Sequence, residues 1–203
     1  MIGESGFSAM ARIAAVALAL AGAAQARTPA ERQLAEARQH LTVNGIPIHP
    51  RAVQDLLPIG SDAAPGPVAI DLATAVHGNR YHGEVLRHEN LGWLVELGRA
   101  TDGASPGWIA YRSLGRLGDG RHVLLVHENG GGTLVSVVLL LVDIVTDSTL
   151  DNEGRAMRRA LIRNRGMIRL GDRYAGEVRV RTHRIEIGAD PRSGTPARVI
   201  DVR

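Results

Sequence analysis

The stretch HENGGGTLVSVVLLLVD, residues 127–143, decides the fold. Three glycines run directly into a dense apolar segment, and three structures compete for that pattern. A phosphate cradle would need the glycines to open a helix whose first amides face the anion. Thr133-Leu134-Val135-Ser136-Val137-Val138 is instead β-branched and unlike a first helical turn, and no Gly-Lys-Ser/Thr follows. A membrane insertion fails on length, since Leu134 to Val145 is twelve residues and holds Asp143. A hairpin remains, with HVLLVHE running out, 129–132 turning and LVSVVLLLV returning. The return segment is apolar at consecutive positions, so it reads as a central strand covered on both faces.

Outward from the hairpin the β signal continues. VAIDLATAV, GEVLRHE, WLVELGRA and WIAYRSLGRL are short segments separated by Gly/Asn/Asp-rich breaks, and EVRVRTHRIEI alternates with a phase shift near His183–Arg184 that predicts a bend. TDSTLDNEG reads as a polar loop. The spacing of Ala156, Met157, Ala160 and Leu161, with Asp151 or Asn152 as cap, predicts a helix over 152–164. Two short helices precede the strands. One follows Pro29 and carries Leu34, Ala37 and Leu41 on one side; the other starts at Pro50 and carries Val53, Leu56 and Leu57. The expected class is mainly β, an antiparallel meander forming a sandwich-like or partly closed barrel, behind two N-terminal helices.

The first residues read as an export signal. Arg12 precedes the apolar run 13–24, too short to span a bilayer, and Ala24-Gln25-Ala26 offers a small-x-small cleavage site. Cleavage between Ala26 and Arg27 is expected, with Met10 as an alternative start to Met1. The domain plan is then a signal peptide at 1–26, a helical segment at 27–60, a linker at 61–67 and a β domain at 68–203. No transmembrane anchor is expected after cleavage, and the expected location is periplasmic or secreted.

Composition removes several chemistries. The chain has no cysteine, so disulfides, thiolate nucleophiles and cysteine-based zinc sites are out. All 24 basic residues are arginine, which excludes lysine Schiff-base chemistry and Walker-type phosphate binding. Residues 27–154 carry 10 Arg against 15 acids, and 155–203 carry 13 against 5. That asymmetry fits either an anionic partner or mutual attraction between the two halves, and the latter is the preferred reading. Tyr81, Trp93, Trp108, Tyr111 and Tyr174 are too few for a stacking platform, so nucleic acid is not an expected partner.

Three constellations merit testing as sites. Gly103-Ala104-Ser105-Pro106-Gly107 has the form of a nucleophile elbow, and Asp172 and His183 follow in the order such a triad takes. However, WIAYRSL after it looks like a strand where an elbow needs a helix. His82, His88 and Glu89 could meet across strands to hold a metal, although their spacing matches no closed zinc motif; surface or hydrogen-bonded histidine is the simpler reading. Arg112, with Asp172 and Arg173 of the Arg169-Leu170-Gly171-Asp172-Arg173 turn, could bind an anion, whereas a turn-holding Asp–Arg pair is the plainer alternative. His122 and His127, five apart on one strand, should face opposite sides. No cofactor is expected.

The segments NGIPIHP (44–50), VAIDLATA (68–75), NRY (79–81), YRSLG (111–115), VLLVHENGGGT (123–133) and LGDR (170–173) together resemble a family of uncharacterised exported bacterial proteins. Its members carry a Pro-Ile-His-Pro turn, a Gly-Gly-Gly-Thr hairpin and a Leu-Gly-Asp-Arg segment. After Thr133 this chain departs from the pattern, in which another small residue and an aromatic tend to follow. The resemblance implies export and a compact β domain, and no reaction.

These readings favour a non-enzymatic binding or structural protein of the bacterial cell envelope, facing an anionic envelope component or a partner protein. Two alternatives stand beside it: a hydrolase using Ser105 or a His82/His88 metal site, and a periplasmic adaptor docking a partner through residues 27–60.

Overall fold

The computed structural model describes residues 29–57, 69–76, 80–98 and 105–202. The expected signal peptide, its Ala26–Arg27 junction and the 61–67 linker lie outside these residues. The chain divides into two compact units, Met1–Gln33 and Leu34–Arg203, and the layers described below belong to the second.

Helix α1 (Pro29–His40) has Glu31 in its first turn and Arg38 and His40 in its last, each favourable to the helix dipole. Its predicted apolar side is real: Ala37 and Leu41 are buried, and Leu34 packs partly against them. Strands β1 (Thr42–Val43) and β2 (Ile46–Pro47) form a miniature hairpin on Asn44-Gly45. Both turn residues have positive φ, 53° and 76°, as a two-residue primed turn requires. The Glu36 carboxylate holds this turn through Thr42 Oγ1 at 2.7 Å and the amides of Asn44 and Gly45. Helix α2 (Pro50–Asp55) starts on His49, whose Nδ1 accepts the Arg51 amide, and buries Ala52 and Val53.

Seven antiparallel strands form the main sheet: β3 (Ala69–Asp71), β4 (Leu86–His88), β5 (Gly92–Glu96), β6 (Trp108–Arg116), β7 (His122–Asn129), β8 (Ser136–Leu150) and β9 (Ala156–Asp172). Their order is β3-β9-β8-β7-β6-β5-β4, a meander whose first strand closes onto the last. The edges β3 and β4 do not pair, so the sheet stays open and the partly closed barrel is not formed. A second sheet, β10 (Val178–Arg181), β11 (Arg184–Ile187) and β12 (Arg198–Asp201), includes the predicted bend as a two-residue turn at Thr182-His183.

The opening hairpin is the middle of the sandwich. β7 and β8 pair from His122↔Val142 to Glu128↔Ser136. Val123, Leu125, Val137, Leu139 and Leu141 face one side with Leu170, Tyr174, Ile185 and Ile187. Leu124, Val126, Val138, Leu140 and Val142 face the other with Ile48, Ala52, Val53 and Leu56. The large sheet is therefore covered by the small sheet on one face and by the helical segment on the other. Period-two alternation converts a continuous apolar run into two cores.

The turn is built around Asn129. Its Nδ2 donates to the carbonyls of Gly132 and Leu134, and its Oδ1 accepts the Gly131 amide at 2.7 Å. Of the three glycines only Gly131 has positive φ (95°), and a Cβ there would sit 3.1 Å from the Ser105 carbonyl oxygen. Its role is close backbone approach.

Two expectations are corrected. Residues 146–150 continue β8, so the polar loop is shorter than TDSTLDNEG. The helix expected at 152–164 is the start of β9, a 17-residue strand paired with β8 down to Leu150↔Ala156. Asp151 does cap, but it caps a turn: its carboxylate accepts the amides of Glu153 and Arg155, with Gly154 at φ 78°. Cross-strand charge then fixes the register, through Arg159–Asp147 at 2.8 Å and Arg163–Asp143 at 2.9 Å. A helix would have left those acids on an unpaired edge. These contacts, with Arg165–Asp143, join the basic half to the acidic half, in line with the preferred reading of the charge asymmetry.

Several residues of the short sequence motifs act as joints between layers. The Tyr111 hydroxyl, fully buried, donates to the Ile48 carbonyl at 2.6 Å and ties β6 to the segment entering α2. Tyr111→Phe leaves that carbonyl without its donor. The expected cost is about 1–3 kcal/mol, read as a lower denaturant midpoint with unchanged slope.

Candidate functional site

The sequence-derived triad is not assembled. Ser105 is exposed in the loop before β6, Asp172 ends β9, and His183 sits in the β10–β11 turn. Among the described residues no hydrogen bond links any two of them. Asp172 is already engaged, accepting the Val135 amide at 2.9 Å and pairing with Arg173 at 2.9 Å. The plainer reading of the Leu-Gly-Asp-Arg segment, a carboxylate holding a turn, describes this geometry. Arg112 stands three strands away, about 14 Å on strand spacing alone, so Arg112, Asp172 and Arg173 do not form one site.

The histidine cluster is likewise dispersed. His88 Nδ1 accepts the amides of Asn90 and Leu91 in the β4–β5 turn, while His82 and Glu89 are exposed. Among the described residues no three His, Asp or Glu side chains gather closely enough to hold a metal ion. His122 and His127 do face opposite sides. His122 is buried, with Nε2 2.8 Å from the Arg38 carbonyl oxygen, and its pKa falls to about 4 through burial, reinforced by the charges of Arg116 and His40. His127 falls to about 4 through burial and then through Arg112.

A second polar group that the sequence did not single out lies around Tyr81. Its hydroxyl donates to Asp55 Oδ2 at 2.9 Å, Arg80 pairs with the same carboxylate at 3.1 Å, and the ring stacks on His49 at 5.8 Å between centroids. Burial first, and the Asp55 contact second, push the phenol well above its ordinary range. It therefore stays a donor at any physiological pH. The group clamps α2 to the segment before β4 and is not arranged to move protons.

Two neighbouring clefts share Trp93 as a common wall and are together termed the Trp93 groove. This residue pairs with Tyr111 across β5 and β6 and points to the helical side of the sheet, where it is half-buried against the core on that face. A cleft of about 260 Å3 opens on one side, lined by Ile46, Pro47, Gly83, Glu84, Val85 and Trp93. Another of about 220 Å3 opens on the other side, bordered by His40, Leu41, Arg87, Gly92, Trp93 and Ser113, with Tyr111. The two share Trp93.

Local structure explains the placement. The short β4–β5 turn sets the register Arg87↔Trp93, which brings the guanidinium to 5.0 Å from the indole ring centroid. Gly92 makes the approach to β6 possible. Its φ is 85°, and a Cβ there would fall 2.7 Å from Arg112 Cβ and onto the Tyr111 carbonyl oxygen. On the opposite wall, the Asn44-Gly45 turn leaves Ile46 47% exposed at the mouth of the first cleft.

Arg112, the sequence-derived binding candidate, borders the second cleft, and strand alternation sends its guanidinium to the other face. There it lies beside His127, consistent with its effect on that imidazole. The cationic side chain lining this end of the groove is thus Arg87, beside the His40 imidazole. One end is apolar, the middle is aromatic and the far end is basic.

Compared with known proteins, the chain matches no protein family, no curated protein and no solved structure. Among the described residues no helix is long and apolar enough to cross a membrane.

Proposed function

We propose that the protein is an exported, non-enzymatic binding protein of the bacterial cell envelope, and that the Trp93 groove receives an anionic envelope component. The observation that carries this reading is the groove itself, apolar at one end and basic at the other, with an arginine stacked on its central indole. Mostly apolar concavities with a few placed polar groups are where small ligands bind. The polar groups that would otherwise argue for chemistry are occupied in holding the fold: Asp172 in a turn, and Tyr81 and Asp55 in a clamp. Export rests on the N-terminal apolar segment and its small-x-small site.

The test is native mass spectrometry of protein gently purified from its own envelope fraction. The expected result is the mass of residues 27–203 plus a non-covalent anionic ligand lost on denaturation, with Arg87→Gln recovered ligand-free. Covalent labelling at Ser105 by a fluorophosphonate probe, with no retained ligand, would instead establish the hydrolase reading.

A further inference from the structure

We infer that the ligand of the Trp93 groove is a single-chain amphiphile with an anionic head, its chain lying against Ile46, Pro47 and Val85 and its head beside Arg87 and His40. This deepens the binding reading above and rests on it. The argument begins with the asymmetry of the two clefts. On the Ile46 side the walls are aliphatic, and the one charged residue is the carboxylate of Glu84. An anion is repelled there, and hydrocarbon is welcome. On the His40 side the charged group is the Arg87 guanidinium, and His40 and Ser113 add an imidazole and a hydroxyl.

A ligand that was only an anion would leave the apolar cleft and the half-exposed Ile46 side chain in water. A purely apolar ligand would lie beside Arg87 and His40 without using them. A molecule with both parts satisfies both ends in one orientation, crossing Trp93 between them. Glu36 of α1 is held by Thr42 and by the Asn44 and Gly45 amides and also feels His40, so Arg87 is the head's main partner. No covalent step is involved: the groove binds and releases.

The experiment uses Trp108→Phe, which leaves Trp93 as the sole tryptophan, and follows its fluorescence against decyl phosphate, hexyl phosphate, inorganic phosphate and decyl maltoside. Decyl phosphate is expected to bind best. Each methylene removed should weaken binding about fourfold, so hexyl phosphate, four methylenes shorter, should be weaker by roughly 250-fold. Arg87→Gln should cost decyl phosphate about tenfold and leave decyl maltoside unchanged. Ile46→Asn should weaken both decyl ligands equally, and circular dichroism would check that each variant is folded.

Inorganic phosphate binding as tightly as decyl phosphate would overturn the amphiphile and leave the anion-binding reading standing. Decyl maltoside binding as tightly would overturn the anionic head. No response of Trp93 to any of the four would remove the groove as a ligand site and the binding reading with it.

Discussion

Leu139→Ala and Leu140→Ala are each expected to destabilise the protein by about 2–5 kcal/mol, and to loosen different layers. Both side chains are fully buried on adjacent positions of the central strand β8. Leu139 points to the small sheet, in the core that holds Leu170, Ile185 and Ile187. Leu140 points to the helical side, in the core that holds Ile48, Val53 and Leu56. Removing either leaves a cavity that the rigid strand ladder cannot collapse, so the cost includes both the lost transfer energy and the void. Hydrogen exchange distinguishes the two. Leu139→Ala should raise exchange in β10–β12 with little change in α2, and Leu140→Ala should do the reverse. Equal loosening of both layers by either variant would mean that the strand does not separate two cores.

That two-faced strand was the most legible feature of the sequence. A run such as VSVVLLLV has no polar face to give to solvent, so once it is a strand it must be covered twice. The two helices were legible for a related local reason, since Pro50 and the Val53, Leu56, Leu57 stripe fix the second one without tertiary help. The first part of β9 reads as a helix because its deciding interactions are not local. Ala156, Met157, Ala160 and Leu161 are good helix formers at helical spacing, and Asp151 is a good cap. The facts that override them, Asp143 and Asp147 waiting on β8 opposite Arg163 and Arg159, appear only after the hairpin register is known.

The groove was less legible than the fold. Ile46 lies in NGIPIHP, whereas Val85, Arg87 and Trp93 fall outside the quoted motifs, and nothing in the sequence near Arg112 marks the face it takes. One local signal was available. In LRHENLGW the short turn places Arg87 opposite Trp93, and a cation facing an indole at a sheet edge is a recognisable pair. The motif residues point the other way. Asn129 braces the glycine turn, Tyr111 joins β6 to Ile48, and Asp172 receives the Val135 amide. Their arrangement serves the fold, and the ligand reading comes mainly from Val85, Arg87 and Trp93 between the motifs, with Ile46 and Pro47 of the first.

Acidification is expected to remove about 3 kcal/mol of stability between pH 7 and pH 4 through His122 alone. The ring is buried, its Nε2 meets the Arg38 carbonyl, and Arg116 and His40 lie near enough to oppose a positive charge. Burial is the main cause of its low pKa of about 4 in the folded protein, against about 6.5 in the unfolded chain. The folded state therefore binds fewer protons than the unfolded state across that interval, and stability rises with pH within it. The contribution is fully present above about pH 6.5, declines as pH falls towards 4, and is exhausted below that because both states are then protonated. His127 acts in the same direction over the same interval, pushed down by burial and Arg112. Below it the loss continues through Asp190, whose carboxyl is held low chiefly by the Ala175 and Arg192 amides. Urea midpoints at pH 7, 5.5 and 4.2 give the slope. His122→Gln keeps a donor for the Arg38 carbonyl and cannot take up a proton, so its stability should change less over the same range even if it is lower at pH 7. Parallel curves for the two proteins would show that burial does not hold the imidazole neutral, and that the acid response originates elsewhere.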